Sequence, residues 1–114
     1  MVSIEDVRKL ALSFDEVTEK PHFEIVSFTV KKKIFATLNT KMNRATLKFS
    51  EEEQYSFCVY DKTAIYPVPN KWGKHGWTTV ELKKVRKDMF KDALTTAYCT
   101  AAPEALAAKY RLQG

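Results

Sequence analysis

The chain has 114 residues, 45% hydrophobic and 29% charged, which describes one ordinary globular domain over 1–114 and excludes a disordered or low-complexity chain. No apolar run approaches the roughly 20 residues that a membrane-spanning helix needs, and Met1-Val2-Ser3-Ile4-Glu5-Asp6 lacks the basic-then-apolar order of a secretion signal. A cytoplasmic, monomeric protein with a net charge of +5 and no membrane contact is expected.

Ser3-Ile4-Glu5-Asp6 reads as a helix start, with Ser3 capping a free backbone N–H and Asp6 at the capping-box position. Ile4, Val7, Ala11 and Phe14 recur at helical spacing beside Leu10, a stripe that predicts one buried face ending near Ser13. Residues 15–20 form an acidic stretch expected as a loop running to Pro21.

Three antiparallel strands are predicted next, over 27–30, 33–39 and 44–49. Their alternation places Phe28, Val30, Ile34, Ala36, Leu38, Ala45, Leu47 and Phe49 on a core face. The opposite, wet face would carry Thr29, Phe35, Thr37, Arg44, Thr46 and Lys48, joined by Trp77, Thr79 and Glu81 of a later strand. A one-residue slip would bury Trp77 instead, so the pattern leaves open whether Trp72 and Trp77 are core or surface.

Ser50-Glu51-Glu52-Glu53 is a second capping box, opening a helix whose inward face is predicted as Tyr55, Cys58 and Val59 and which ends at Asp61-Lys62. Ile65-Tyr66-Pro67-Val68-Pro69 fits only a short edge strand, because proline cannot donate to a ladder. Asn70-Lys71-Trp72-Gly73-Lys74-His75-Gly76 then predicts a tight turn into a strand over 77–82. Lys83-Lys84 leads to a long helix buried through Met89, Phe90, Ala93, Leu94, Ala97 and Tyr98, interrupted at Pro103 and continued over 104–110. Helix, strands, helix, strands, helix in this order predict a two-layer α+β domain, an antiparallel sheet with helices on one face.

Catalytic and metal chemistry find no anchor. His22 and His75 stand alone, and Glu5, Asp6, Asp15, Glu16 and Glu19 read as solvated charge. Cys58 and Cys99 sit in no CxxC pattern and are expected as free thiols. Gly73-Lys74-His75-Gly76 lacks the spacing of a phosphate loop. No catalytic residue, metal or cofactor is therefore expected.

Charge distribution says more. No acidic residue occurs over 27–49 or 62–80, and these stretches hold Lys31, Lys32, Lys33, Arg44, Lys48, Lys71 and Lys74. Lysine and arginine neutralise phosphates and exposed aromatics stack on bases. Those seven residues are the candidate phosphate contacts, with Trp77 and Phe35 as candidate stacking groups.

Phe28-Thr29-Val30, Lys33-Ile34-Phe35-Ala36-Thr37-Leu38, Thr46-Leu47-Lys48-Phe49-Ser50, His75-Gly76-Trp77-Thr78-Thr79-Val80-Glu81-Leu82 and Ala97-Tyr98 carry a resemblance over nearly the whole chain. In order and spacing they resemble the MmcQ/YjbR family of small bacterial proteins. The resemblance implies an α+β fold of double-wing or frataxin-like type and a DNA-binding label that rests on fold analogy. Two positions depart: Lys83-Lys84 stands where the family often has a glycine, and Ala97-Tyr98 where it has Ser-Tyr. A non-enzymatic DNA-binding protein is thus the leading expectation. A module docking an acidic protein partner and a small-molecule binder near Trp72, His75 and Trp77 are the alternatives.

Overall fold

The computed structural model describes residues 1–111. Ser3 opens α1 (Ile4–Ser13): its hydroxyl accepts from the Asp6 N–H at 3.0 Å, and the Asp6 carboxylate accepts from the Ser3 N–H at 3.1 Å. Val7, Ala11 and Phe14 are buried, as their spacing predicts.

Glu16, with φ of 60°, turns the chain into β1 (Val17–His22). Most of the segment expected as a loop is therefore a strand, at the margin of the sheet. Its sequence hides this because an edge strand with most side chains in water shows no alternation. Pairing holds it in place, from Val17 opposite Val30 to His22 opposite Ile25 on β2 (Ile25–Val30). The Thr18 and Thr29 hydroxyls lie 2.7 Å apart, and Arg8 of α1 reaches Glu19 at 2.6 Å. Pro21 is tolerated because an edge strand leaves one row of N–H groups unpaired.

β3 (Lys33–Asn39), β4 (Arg44–Lys48), α2 (Glu51–Tyr60), β5 (Ile65–Pro67), α3 (Lys71–Lys74), β6 (Trp77–Glu81), α4 (Lys87–Ala101) and α5 (Glu104–Arg111) follow among the described residues. The six strands form one antiparallel sheet in the order β1-β2-β3-β4-β6-β5. Helices cover one face, giving the α+β arrangement that the element order predicts.

One register detail overturns part of the expected core. Phe28 pairs with Ala36 but Thr29 pairs with Ile34, so β3 carries an extra residue, Phe35, at that point. A bulge puts two successive residues on one side of the strand. Phe35 and Ala36 are both buried, while Ile34, expected in the core, is 44% exposed. Phe35 is accordingly no stacking group on the open face. Beyond the bulge the expected alternation returns, with Ala36, Leu38, Ala45, Leu47 and Phe49 all buried.

Phe35 joins an aromatic cluster centred on Phe14 and Tyr98. Phe14 stacks on Tyr98 with centroids 4.6 Å apart, and Phe35 meets Tyr98 edge-on at 5.5 Å. The Tyr98 hydroxyl donates to the Asp15 carbonyl at 2.7 Å, and burial pushes its pKa up to about 12. Phe90, Ala93, Leu94 and Ala97 of α4 complete this layer; Met89, expected with them, is half-buried.

Helix α2 departs from expectation. The Ser50–Glu53 cap is present, with reciprocal bonds of 3.2 and 2.8 Å. Its inward residues, however, are Gln54, Phe57 and Cys58, with Phe57 stacked on Phe49 at 4.9 Å. Tyr55 and Val59, expected inside, are 70% and 54% exposed. Cys58 lies inward as expected; with apolar side chains on both sides of this helix, periodicity alone misplaced the other two. Cys58 and Cys99 are free thiols, and burial raises the pKa of both.

Candidate functional site

Sheet order gathers residues that are far apart in sequence. Ala36 of β3 pairs with Leu47 of β4, and Lys48 at the end of β4 faces Trp77 at the start of β6. The start of β3, the end of β4 and the start of β6 thus lie side by side, two strand spacings or roughly 10 Å across. Lys31 and Lys32 form the two-residue turn just before β3, and α3 sits just before β6. Six of the seven candidate cations, Lys31, Lys32, Lys33, Lys48, Lys71 and Lys74, therefore share one end of the sheet.

Arg44 does not join them. It opens β4 at the opposite end, directly across from Glu81, to which its Nε donates at 3.0 Å. The Tyr66 hydroxyl donates to the same carboxylate oxygen. Tyr66 first, then Arg44, holds the Glu81 carboxyl below its ordinary value against the opposing effect of burial. Arg44 is thus a cation already matched by a carboxylate.

At the lysine end, Lys31 pairs with Glu16 at 2.6 Å. Among the described residues Lys32, Lys33, Lys48, Lys71 and Lys74 form no ion pair. Lys48 donates to the His75 carbonyl and lies 5.8 Å from the centroid of the half-buried Trp77 ring. The Lys71 ammonium stands 6.0 Å over Trp72, which is 54% exposed. His75 lies 6.4 Å from that ring. Glu51, Glu52 and Glu53, in the first turn of α2, bound this cationic end on its helix side.

The segment carrying Trp72, expected as a turn, contains one helical turn anchored from three directions. Asn70 caps it by accepting from the Trp72 N–H at 2.8 Å. Gln54 of α2 donates to the Gly73 carbonyl at 2.8 Å, and the same nitrogen lies 3.1 Å from the Thr78 hydroxyl. Phe49 N–H donates to the Gly76 carbonyl at 3.0 Å. Gly76 has φ of +98°, and a Cβ there would overlap the Phe49 carbonyl oxygen; one on Gly73 would overlap that of Val68. Gln54 carries no signal in sequence, since a polar residue on the inner side of a helix is legible only once its acceptors are in view. Trp72, not Trp77, is the more exposed aromatic of the pair.

The small-molecule alternative looked for a pocket near the tryptophans. A cavity of about 860 Å³ lies instead among the helices, lined by residues that include Leu10, Phe14, Phe57, Cys99 and Tyr110. Among the described residues no group of three or more His, Cys, Asp or Glu side chains is placed to hold a metal ion. Likewise, no helix there is long and apolar enough to cross a membrane.

Comparison with solved structures finds a similar fold in the Deinococcus radiodurans protein DR2400, assigned to the domain family DUF419. The two are 23% identical, with a TM-score of 0.76 over 88% of this chain and 78% of that one. No curated protein matches. The family model YjbR matches residues 12–100, from α1 through the bulged sheet and the glycine-hinged tryptophan segment to α4, and this chain belongs to the YjbR family.

Proposed function

We propose that the protein binds nucleic acid, without catalysis, through the lysine-rich end of its sheet. The observation that carries this reading is the convergence of Lys32, Lys33, Lys48, Lys71 and Lys74, beside a Lys31 already matched by Glu16, next to the exposed ring of Trp72. Ammonium groups without carboxylate partners neutralise phosphates, and an exposed indole stacks on an unpaired base. Such contacts follow backbone charge and carry little sequence information. Arg44, spoken for by Glu81, is not one of them, and Trp72 takes the stacking role first considered for Trp77.

A local cost supports the reading. Lys31 and Lys32 both have positive φ, 48° and 69°, as the centre of a type I′ hairpin turn requires. Asn-Gly suits that turn far better, so two lysines hold it at the expense of stability.

A variant that improves the fold tests the function. Lys31→Asn with Lys32→Gly is expected to raise stability by about 1 kcal/mol while weakening oligonucleotide binding severalfold. Trp72→Ala should weaken single-strand binding by roughly 1–3 kcal/mol and leave the melting curve in place. Unchanged affinity in both variants would refute the reading. The acidic-partner alternative uses the same lysines but predicts no loss of single-strand affinity from Trp72→Ala.

A further inference from the structure

The sheet end opposite the lysine cluster carries the most exposed aromatic side chain among the described residues. There β1 and β2 meet in a two-residue turn, Phe23-Glu24, with Phe23 91% exposed. Phe23 has φ of +58° whereas Glu24 is not left-handed, the pattern of a hairpin whose first central residue is ordinarily glycine. A bulky residue in that region costs stability, and here the ring returns no core packing. Its aromatic neighbour is the exposed His22, edge-on at 4.7 Å. The β3–β4 turn lies alongside, tied on where the Thr40 N–H and hydroxyl donate to the Glu24 carbonyl at 2.9 and 3.1 Å. It presents an exposed Lys41 and a Met42 that is 49% exposed. Lys83-Lys84 come next, held there by the Leu82 N–H donating to the Asn43 carbonyl at 3.1 Å. Among the described residues Lys41, Lys83 and Lys84 form no ion pair, although Lys84 interacts with the Asp61 and Glu81 carboxylates at longer range. Glu24 is the one acid in the two turns.

We infer that this end docks on an anionic lipid surface, with Phe23 and Met42 entering the headgroup–acyl boundary and Lys41 and Lys83 meeting headgroup phosphates. A protruding apolar side chain needs no matching pocket in a fluid interface, and burial there supplies what the fold withholds from Phe23. Lysines beside an anionic leaflet each strengthen such a contact about fivefold. A polyanion without an apolar layer would use the lysines and leave Phe23 in water. Surface docking requires no spanning helix, and two isolated apolar residues in polar turns give no apolar run. Sequence reading therefore expects no membrane contact. The contact uses the end of the sheet away from the nucleic-acid proposal and stands apart from that reading.

Co-sedimentation with vesicles of phosphatidylcholine and phosphatidylserine in about equal parts, against phosphatidylcholine alone, tests the inference. The unaltered protein should bind the mixed vesicles reversibly and the neutral ones about tenfold less. Phe23→Gly suits the turn, so its melting temperature should equal or exceed the parent's while binding to mixed vesicles falls about tenfold. Phe23→Trp should keep that binding. Lys41→Glu with Lys83→Glu should weaken it severalfold, and Lys71→Glu with Lys74→Glu, at the other end, far less. No binding to mixed vesicles, or binding that Phe23→Gly leaves unchanged, overturns the inference. So does binding that depends more on Lys71 and Lys74 than on Lys41 and Lys83, the mark of charge adsorption through the other end.

Discussion

Phe35→Ala is expected to cost about 3–5 kcal/mol of stability, and Ile34→Ala about 1 kcal/mol or less. Alternation along 33–39 predicts the reverse order. The bulge opposite Phe28 and Thr29 turns Phe35 under the helices, against Phe14 and Tyr98, and leaves Ile34 44% exposed. Removing a ring from that cluster leaves a cavity that the neighbouring aromatics cannot close, because each is fixed by the others and Tyr98 is tied to the Asp15 carbonyl. Chemical denaturation of the two variants measures the difference directly. Equal losses, or a larger loss for Ile34→Ala, would mean that the bulge is misplaced.

The second large effect lies at Gly76. Gly76→Ala is expected to destabilise by about 2–5 kcal/mol, from a left-handed backbone imposed on a Cβ and from overlap of that Cβ with the Phe49 carbonyl. Relief requires the start of β6 to leave the end of β4, which breaks the Phe49–Gly76 hydrogen bond and moves the His75 carbonyl away from Lys48. The variant should therefore also disturb the lysine cluster. Lys74→Ala, two residues earlier on an exposed side chain, is the control, expected within about 0.5 kcal/mol of the parent. Equal stability of Gly76→Ala and the parent would show that the turn relaxes freely.

These two sites mark where sequence reasoning stops. Caps are local, so Ser3 with Asp6 and Ser50 with Glu53 could be read directly. Strict alternation made Ala45, Leu47 and Phe49 legible as core. A bulge exists only relative to a partner strand, so nothing inside 33–39 announces it. β1 escaped because its pairing is a backbone property and its side chains are mostly in water. In α2, apolar residues on two sides left no single period to follow. The candidate site was legible as a list of cations but not as a place. Lysines from three segments meet because β3 starts where β4 ends and α3 precedes β6. Arg44, only four residues from Lys48, lies at the far end because a strand runs between them.

The dissociation constant for a single-stranded oligonucleotide, followed from low to physiological salt, tests the nucleic-acid proposal most directly. If Lys32, Lys33, Lys48, Lys71 and Lys74 each neutralise a phosphate, the logarithm of affinity should fall against the logarithm of salt with a slope of about −3 to −4. Affinity at physiological salt should then be weak, on the order of 10⁻⁴ to 10⁻⁶ M, and largely indifferent to base sequence. No binding at low salt, or binding that salt leaves unchanged, would contradict the account.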